Sequence, residues 1–268
     1  MSKVFVFDTA QCSGCYNCQV VCKDEHCNND WLPYAKPQPD AGQFWIKIDE
    51  HIRGTVPKVK VSYVANLCMH CDNAPCIDAC SEEAIYKRND GLVIIDPMKC
   101  VGSQLCLAAC PYGVIYFNQD LKISQKCTGC AHLLDRSGWK YGPRCTDACV
   151  NEALRFGEEV EFSAELGGSE VMKPELGLSP RVHYLNLPRR FIAGTVYEPN
   201  TKEVVIGATC TISGDGTGTV TTDGFGDFWF EGLEQGNFTL TIEADGKTKT
   251  ISDISTEKDV NLGNIALS

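Results

Sequence analysis

Cys12-Ser-Gly-Cys15-Tyr-Asn-Cys18-Gln-Val-Val-Cys22 decides how the first half of the chain folds. Its spacing, C-x2-C-x2-C-x3-C, is that of a bacterial-type iron–sulfur cluster loop. Three thiolates on a tight loop can hold three corners of one cubane. The fourth lies one helical turn beyond Cys18 and points to a second cluster, as it does in two-cluster ferredoxins. Cys22 therefore needs a partner motif elsewhere in the chain.

Three further runs offer one. They are Cys68-Met-His-Cys71-Asp-Asn-Ala-Pro-Cys76-Ile-Asp-Ala-Cys80, then Cys100-Val-Gly-Ser103-Gln-Leu-Cys106-Leu-Ala-Ala-Cys110, then Cys127, Cys130, Cys145 and Cys149. Ala79-Cys80, Ala109-Cys110 and Ala148-Cys149 are each followed, five residues after the cysteine, by Ile85, Ile115 and Leu154. The repeating unit is cluster loop, short helix, strand, which is half a ferredoxin. Four half units make two ferredoxin-like modules, and the simplest pairing is nested, first with fourth and second with third. That pairing predicts one cluster on Cys12, Cys15, Cys18 and Cys149, and a neighbour on Cys22, Cys127, Cys130 and Cys145. A third is expected on Cys68, Cys71, Cys76 and Cys110. Cys80, Cys100 and Cys106 remain for a fourth site, with Ser103 at the last ligand position. A serine alkoxide binds iron less readily than a thiolate, so the fourth site is open to a serine-ligated [4Fe-4S] cluster, a [3Fe-4S] cluster, or none.

The chain has 268 residues and 17 cysteines, of which Cys210 alone lies beyond residue 150. Repeated C-x2-C spacing without a secretory leader argues against a disulfide scaffold. Cys127-x2-Cys130-x14-Cys145-x3-Cys149 taken alone would pass for a zinc ribbon, but the three- and four-cysteine runs suit a cubane better. A net charge of −11 is the wrong sign for a general nucleic-acid binder. No apolar run approaches the length of a transmembrane helix. The N-terminus shows neither a signal peptide nor a twin-arginine pair, so the expected location is the cytoplasm unless the chain is exported on a partner.

Residues 3–8 read as a short alternating strand, and residues 43–49 and 58–65 as two strands with a long connection. Hairpins are expected around Asn89-Asp-Gly91 and between Val114–Phe117 and Leu121–Ser124. Cys27 falls outside the spacing and reads as a spare thiol. Residues 157–190 are acidic, then proline-bearing, and read as an extended linker packing over the modules or a partner, with His183 a packed residue. From 191 to 268 the chain is Gly- and Thr-rich, with seven apolar runs separated by turn signals, the signature of a small all-β sandwich or barrel. Thr222-Asp-Gly-Phe-Gly-Asp-Phe-Trp-Phe-Glu-Gly-Leu-Glu-Gln-Gly-Asn-Phe resembles the carboxypeptidase-regulatory or transthyretin-like module. This domain carries no nucleophile, acid–base pair or ligand cluster, and Cys210 reads as core. The expected fold class is α+β: two tandem ferredoxin-like [4Fe-4S] modules over 1–156, the linker, and the β domain.

The four-motif arrangement resembles the iron–sulfur subunits of molybdopterin oxidoreductases of the dimethyl sulfoxide reductase family. In that family the subunit relays electrons to or from a large catalytic chain carrying a bis-molybdopterin guanine dinucleotide centre. The added β domain narrows the resemblance to the small subunits of pyrogallol–phloroglucinol transhydroxylases. Stretches carrying it include Cys68-Met-His-Cys71, Asn73-Ala-Pro-Cys76, Cys110-Pro-Tyr-Gly113, Gln125-Lys-Cys-Thr128, Cys130-Ala-His-Leu-Leu134, Lys173-Pro-Glu-Leu-Gly177 and Pro180-Arg-Val182. Those subunits carry three [4Fe-4S] clusters, whereas here three of the four cysteines of the fourth site persist.

The resemblance implies a non-catalytic electron-transfer subunit with three [4Fe-4S] clusters and room for a fourth. Its partner would be a large molybdopterin chain, in a heterodimer or an assembly of heterodimers, acting on polyhydroxylated aromatics. The alternative is the same kind of subunit in a net reductase or oxidase, such as a catechol dehydroxylase, a resorcinol hydroxylase, or a polysulfide or arsenate reductase. A zinc-holding binding protein is the third reading.

Overall fold

The structure is a computed structural model and describes residues 2–268. It divides into two compact units, residues 2–50 with 62–187 and residues 51–61 with 188–268.

The first unit begins with β1 (Lys3–Asp8), which leads through the first cysteine loop into α1 (Asn17–His26). Next come β2 (Ile46–Thr55) and β3 (Lys58–Leu67), joined by the two residues Val56 and Pro57. The expected long connection is instead part of the strands, and residues 51–61 at the hairpin tip cluster with the second unit. The second cysteine run enters α2 (Pro75–Asp78) and then the hairpin β4 (Ile85–Lys87) and β5 (Val93–Ile95). The third enters α3 (Leu105–Ala109) and the hairpin β6 (Tyr116–Asn118) and β7 (Ile123–Gln125). The fourth spans α4 (Ala131–Leu134) and α5 (Arg144–Asp147) and ends in β8 (Leu154–Glu158). The repeat of loop, short helix and strand is therefore present in the second, third and fourth motifs, whereas the first has the longer α1 and reaches β2 only at Ile46. The nesting is visible in the packing, because α1 lies against α5 and α2 against α3.

β1 is the central strand of a three-stranded sheet, antiparallel to β8 on one side and parallel to β9 (Val182–Leu185) on the other. The alternation expected of residues 3–8 does not hold: Val4, Phe5, Val6 and Phe7 are all buried. A strand covered on both faces reads as a continuous apolar run. The stretch expected as a linker supplies β9, so residues 157–187 belong to the first unit. Arg181 pairs with Asp72 at 2.6 Å, and the Asn73 amide donates to the Leu178 carbonyl at 3.1 Å, tying that stretch across the second cysteine motif.

The second unit is a β-sandwich. One sheet has the order β13-β10-β16 and the other β12-β11-β14-β15. In chain order the strands are β10 (Arg190–Tyr197), β11 (Thr209–Gly214), β12 (Gly218–Thr221), β13 (Asp227–Leu233), β14 (Asn237–Ala244), β15 (Lys247–Ser255) and β16 (Val260–Ala266). Ile192, Phe228 and Phe230 of the first sheet share a core with Cys210, Ile212, Leu240 and Ile242 of the second. Alternate residues of β11, β13 and β14 point into that core, which is the period of two that the apolar runs carried. Cys210 is fully buried there.

Candidate metal centres

The structure collects the cysteines of the first unit into four sets. Cys12, Cys15, Cys18 and Cys149 line one cavity beneath Phe7, Ile48 and Leu154. Cys68, Cys71, Cys76 and Cys110 line another, with Val93, Val114 and Ile115. Cys22, Cys127, Cys130 and Cys145 are buried together between α1 and α5, close enough for each thiolate to raise its neighbours. Cys80, Cys100 and Cys106 line a fourth cavity with Ser103 and Ser124. These are the groupings expected from the nested pairing. Cys27 stands apart at the end of α1, with its thiol on Asp40 at 3.3 Å.

The local backbone explains how each loop brings its sulfurs together. Gly14 and Tyr16 have φ of +68° and +59°, and the third loop repeats this at Gly102 and Gln104 with +77° and +62°. The left-handed residues curl the chain so that successive side chains turn toward one centre. α1 then places Cys18 and Cys22 a turn apart, and the two face different sets. Because the third loop has the backbone of the first, Ser103 stands where Cys15 stands, and both are exposed.

Burial, followed by repulsion from neighbouring sulfurs, pushes the Cys18 thiol up to about 12. Burial dominates likewise for Cys71, up to about 12, and for Cys127, up to about 11, while Cys22 and Cys145 are held well above the ordinary range. Thiols crowded into apolar cavities in this way need a positively charged core among them before they can ionise. Backbone amides already point at them: Gly129 donates to Cys127 Sγ at 3.3 Å, Leu154 to Cys149 Sγ at 3.4 Å and Ser124 to Cys100 Sγ at 3.4 Å. Amide donors to sulfur are the usual surroundings of an iron–sulfur cluster. Among the described residues no three His, Cys, Asp or Glu side chains converge tightly enough for a single metal ion. Four thiolates in one apolar cavity, with backbone amides donating to sulfur, suit an iron–sulfur cubane.

Several residues of the sites carried no signal in the sequence. His26 is buried against Trp45, with Nε2 3.9 Å from Cys130 Sγ, and burial lowers its ring to about 3, so it stays neutral. Lys126 is buried beside Cys127. Ser124 is buried in the fourth cavity, where its hydroxyl has no oxygen or nitrogen partner. His183 is a packed residue, 3.1 Å from Ser169 Oγ.

Residues 59–159 match the 4Fe-4S dicluster domain, and residues 192–268 match the carboxypeptidase regulatory-like domain. The chain is 40% identical over 273 residues to the pyrogallol hydroxytransferase small subunit of Pelobacter acidigallici, covering 98% of each chain. It is 30% identical to the iron–sulfur subunit of the arsenate respiratory reductase of Shewanella, over 72% of this chain and 98% of that one. The anaerobic dimethyl sulfoxide reductase of Escherichia coli contains a subunit that is 31% identical, over 67% of this chain and 83% of that subunit.

Fold and sites together define an iron–sulfur electron-transfer subunit of the molybdopterin oxidoreductases. Within that class the protein belongs to the 4Fe-4S dicluster subunits of the dimethyl sulfoxide reductase family, and it is a homologue of the pyrogallol hydroxytransferase small subunit. These relatives are small subunits of multi-subunit enzymes. No helix among the described residues is long and apolar enough to cross a membrane.

Proposed function

We propose that this chain is the electron-transfer subunit of a cytoplasmic molybdenum enzyme that transfers a hydroxyl group between polyhydroxylated benzenes, from a tetrahydroxybenzene to pyrogallol, so that phloroglucinol is formed. One observation carries the reading. The match to the hydroxytransferase small subunit runs through both units, whereas the matches to the arsenate and dimethyl sulfoxide reductase subunits take in 72% and 67% of this chain.

In this reading the twelve cysteines of the three complete sets hold three [4Fe-4S] clusters. The clusters, when bound, supply reversible one-electron storage, and everything else is done by this chain. The loops fix the sulfurs, and the apolar cavity walls exclude water. Amides such as those of Gly129 and Leu154 donate to the thiolates and so favour the more negative, reduced state. Substrate and the bis-molybdopterin guanine dinucleotide centre belong to a large partner chain, the two forming a heterodimer or an assembly of heterodimers.

The second reading is a net reductase or dehydroxylase of the same family. It is favoured by the fourth set, where three cysteines persist on a loop still folded like the first. The test is metal content and turnover of the native complex purified without oxygen. About one molybdenum and roughly 12 irons per chain, with hydroxyl transfer needing no external electron donor, supports the transhydroxylase. Turnover that consumes an electron donor overturns it in favour of the reductase, and zinc in place of iron overturns both.

A further inference from the structure

Among the described residues two lysines are buried, and they are treated differently. Lys58 is paired with the carboxylate of Asp227. Lys126, 2% exposed, has no Asp or Glu partner among the described residues. It follows β7 directly and precedes Cys127. Its ammonium donates to the Val93 carbonyl and, at 3.1 Å, to that of Cys127. Val93, whose carbonyl it meets, lines the cavity of Cys68, Cys71, Cys76 and Cys110, and the ionisable groups near the ammonium are the thiols of Cys68, Cys76 and Cys127 and the buried ring of His70, which burial, with Lys126 beside it, keeps neutral. Cys68 and Cys76 belong to the set shared by the second and third motifs, whereas Cys127 belongs to the set that includes Cys22. The ammonium thus sits between two sets, one in each ferredoxin-like module.

A buried ammonium is costly unless an anion compensates it, and two carbonyl dipoles are not an anion. A cluster held by four thiolates is an anion in both oxidation states and gains a further negative charge on reduction. A fixed cation beside it therefore stabilises the reduced state more than the oxidised one. We infer that Lys126 is the shared counter-cation of the clusters at Cys68/Cys71/Cys76/Cys110 and Cys22/Cys127/Cys130/Cys145, raising both reduction potentials and setting the step at which electrons cross between the modules. In that step one electron leaves the reduced cluster of one set and enters the oxidised cluster of the other, and no proton moves. Placed near both sets, Lys126 raises both potentials together. Lys126 acts through the clusters and is a positioning residue. The inference rests on the reading above that these sets hold iron–sulfur clusters, and wild-type iron content tests that reading separately.

The experiment uses the native complex with Lys126→Met and Lys126→Arg, comparing iron per chain and cluster potentials from redox titrations followed by electron paramagnetic resonance. With Lys126→Met, two clusters are expected to shift to more negative potential while the cluster on Cys12, Cys15, Cys18 and Cys149 holds its wild-type value. Lys126→Arg is expected to stay close to wild type. If Lys126→Met instead loses the iron of two clusters while Lys126→Arg keeps it, the charge requirement is again upheld. Unchanged potentials in Lys126→Met, an equal shift of every cluster, or the same defect in both variants would overturn the inference and leave Lys126 a packing residue.

Discussion

Cys18 and Cys22 lie one turn apart on α1 and face different sulfur sets, Cys18 toward Cys12 and Cys149, Cys22 toward Cys127 and Cys130. A single helical turn thereby links two sulfur sets. The same device recurs at Cys76 and Cys80 across α2 and at Cys106 and Cys110 across α3.

This division of labour makes Cys22→Ala selective. The variant is expected to lose the cluster of Cys127, Cys130 and Cys145, about four irons per chain, while the cluster of Cys12, Cys15, Cys18 and Cys149 keeps its spectrum. Loss of both clusters together, read by iron analysis and paramagnetic resonance, would show that the two sets are not separate.

Gly14 tests the loop geometry. Its φ is +68°, and a Cβ there would run into the Tyr63 ring. Gly14→Ala is expected to cost about 1–3 kcal/mol and to deplete the adjacent cluster. Gly113→Ala, at φ +65° with nothing within 4 Å of the added carbon, isolates the backbone cost alone, about 1 kcal/mol. Chemical unfolding of the two variants side by side measures the difference, and equal losses would remove the steric role assigned to Tyr63.

Ser103→Cys puts a thiol on a loop already folded to present one. The variant is expected to bind about 16 irons per chain and to show a fourth [4Fe-4S] signal on reduction. Iron content and spectra identical to the parent would mean that the cavity of Cys80, Cys100 and Cys106 is closed to a cluster.

In the β-sandwich unit, burial would raise the Asp227 carboxyl. The hydrogen bonds from Lys58 and from Thr195 (2.6 Å) outweigh it and hold the carboxyl below the usual range. A carboxyl depressed in the folded state contributes stability above its unfolded pKa, about 3.9, and loses it as pH falls through the lower folded value. Thermal unfolding of this unit is therefore expected at lower temperature as pH drops below about 4. Asp227→Asn should be less stable at neutral pH, because it leaves the Lys58 ammonium buried without its anion, and should respond less to acid. A parallel pH response in parent and variant would count against the pair.

The cysteine sets were legible because their signal is local. A cluster loop needs its ligands two or three residues apart, and nesting follows once the half-ferredoxin repeat is seen. The strands of the sandwich were legible because one face of each is buried and the other wet, which writes a period of two into β11, β13 and β14. Residues 3–8 were misread as alternating because β1 is covered on both faces by elements far away in sequence.

What the sequence determined by itself is which sulfurs belong together, that a β domain follows, and which subunit family the protein joins, since all three are carried by short spacings and local periodicity. Tertiary structure alone decided that residues 182–185 complete the sheet of β1, that the hairpin tip at 51–61 clusters with the second unit, and that Lys126 lies between two cysteine sets. The reason is physical: burial and charge environment are set by contacts between segments tens of residues apart. A lysine beside a cysteine reads the same along the sequence whether its ammonium faces water or the buried space between two cysteine sets.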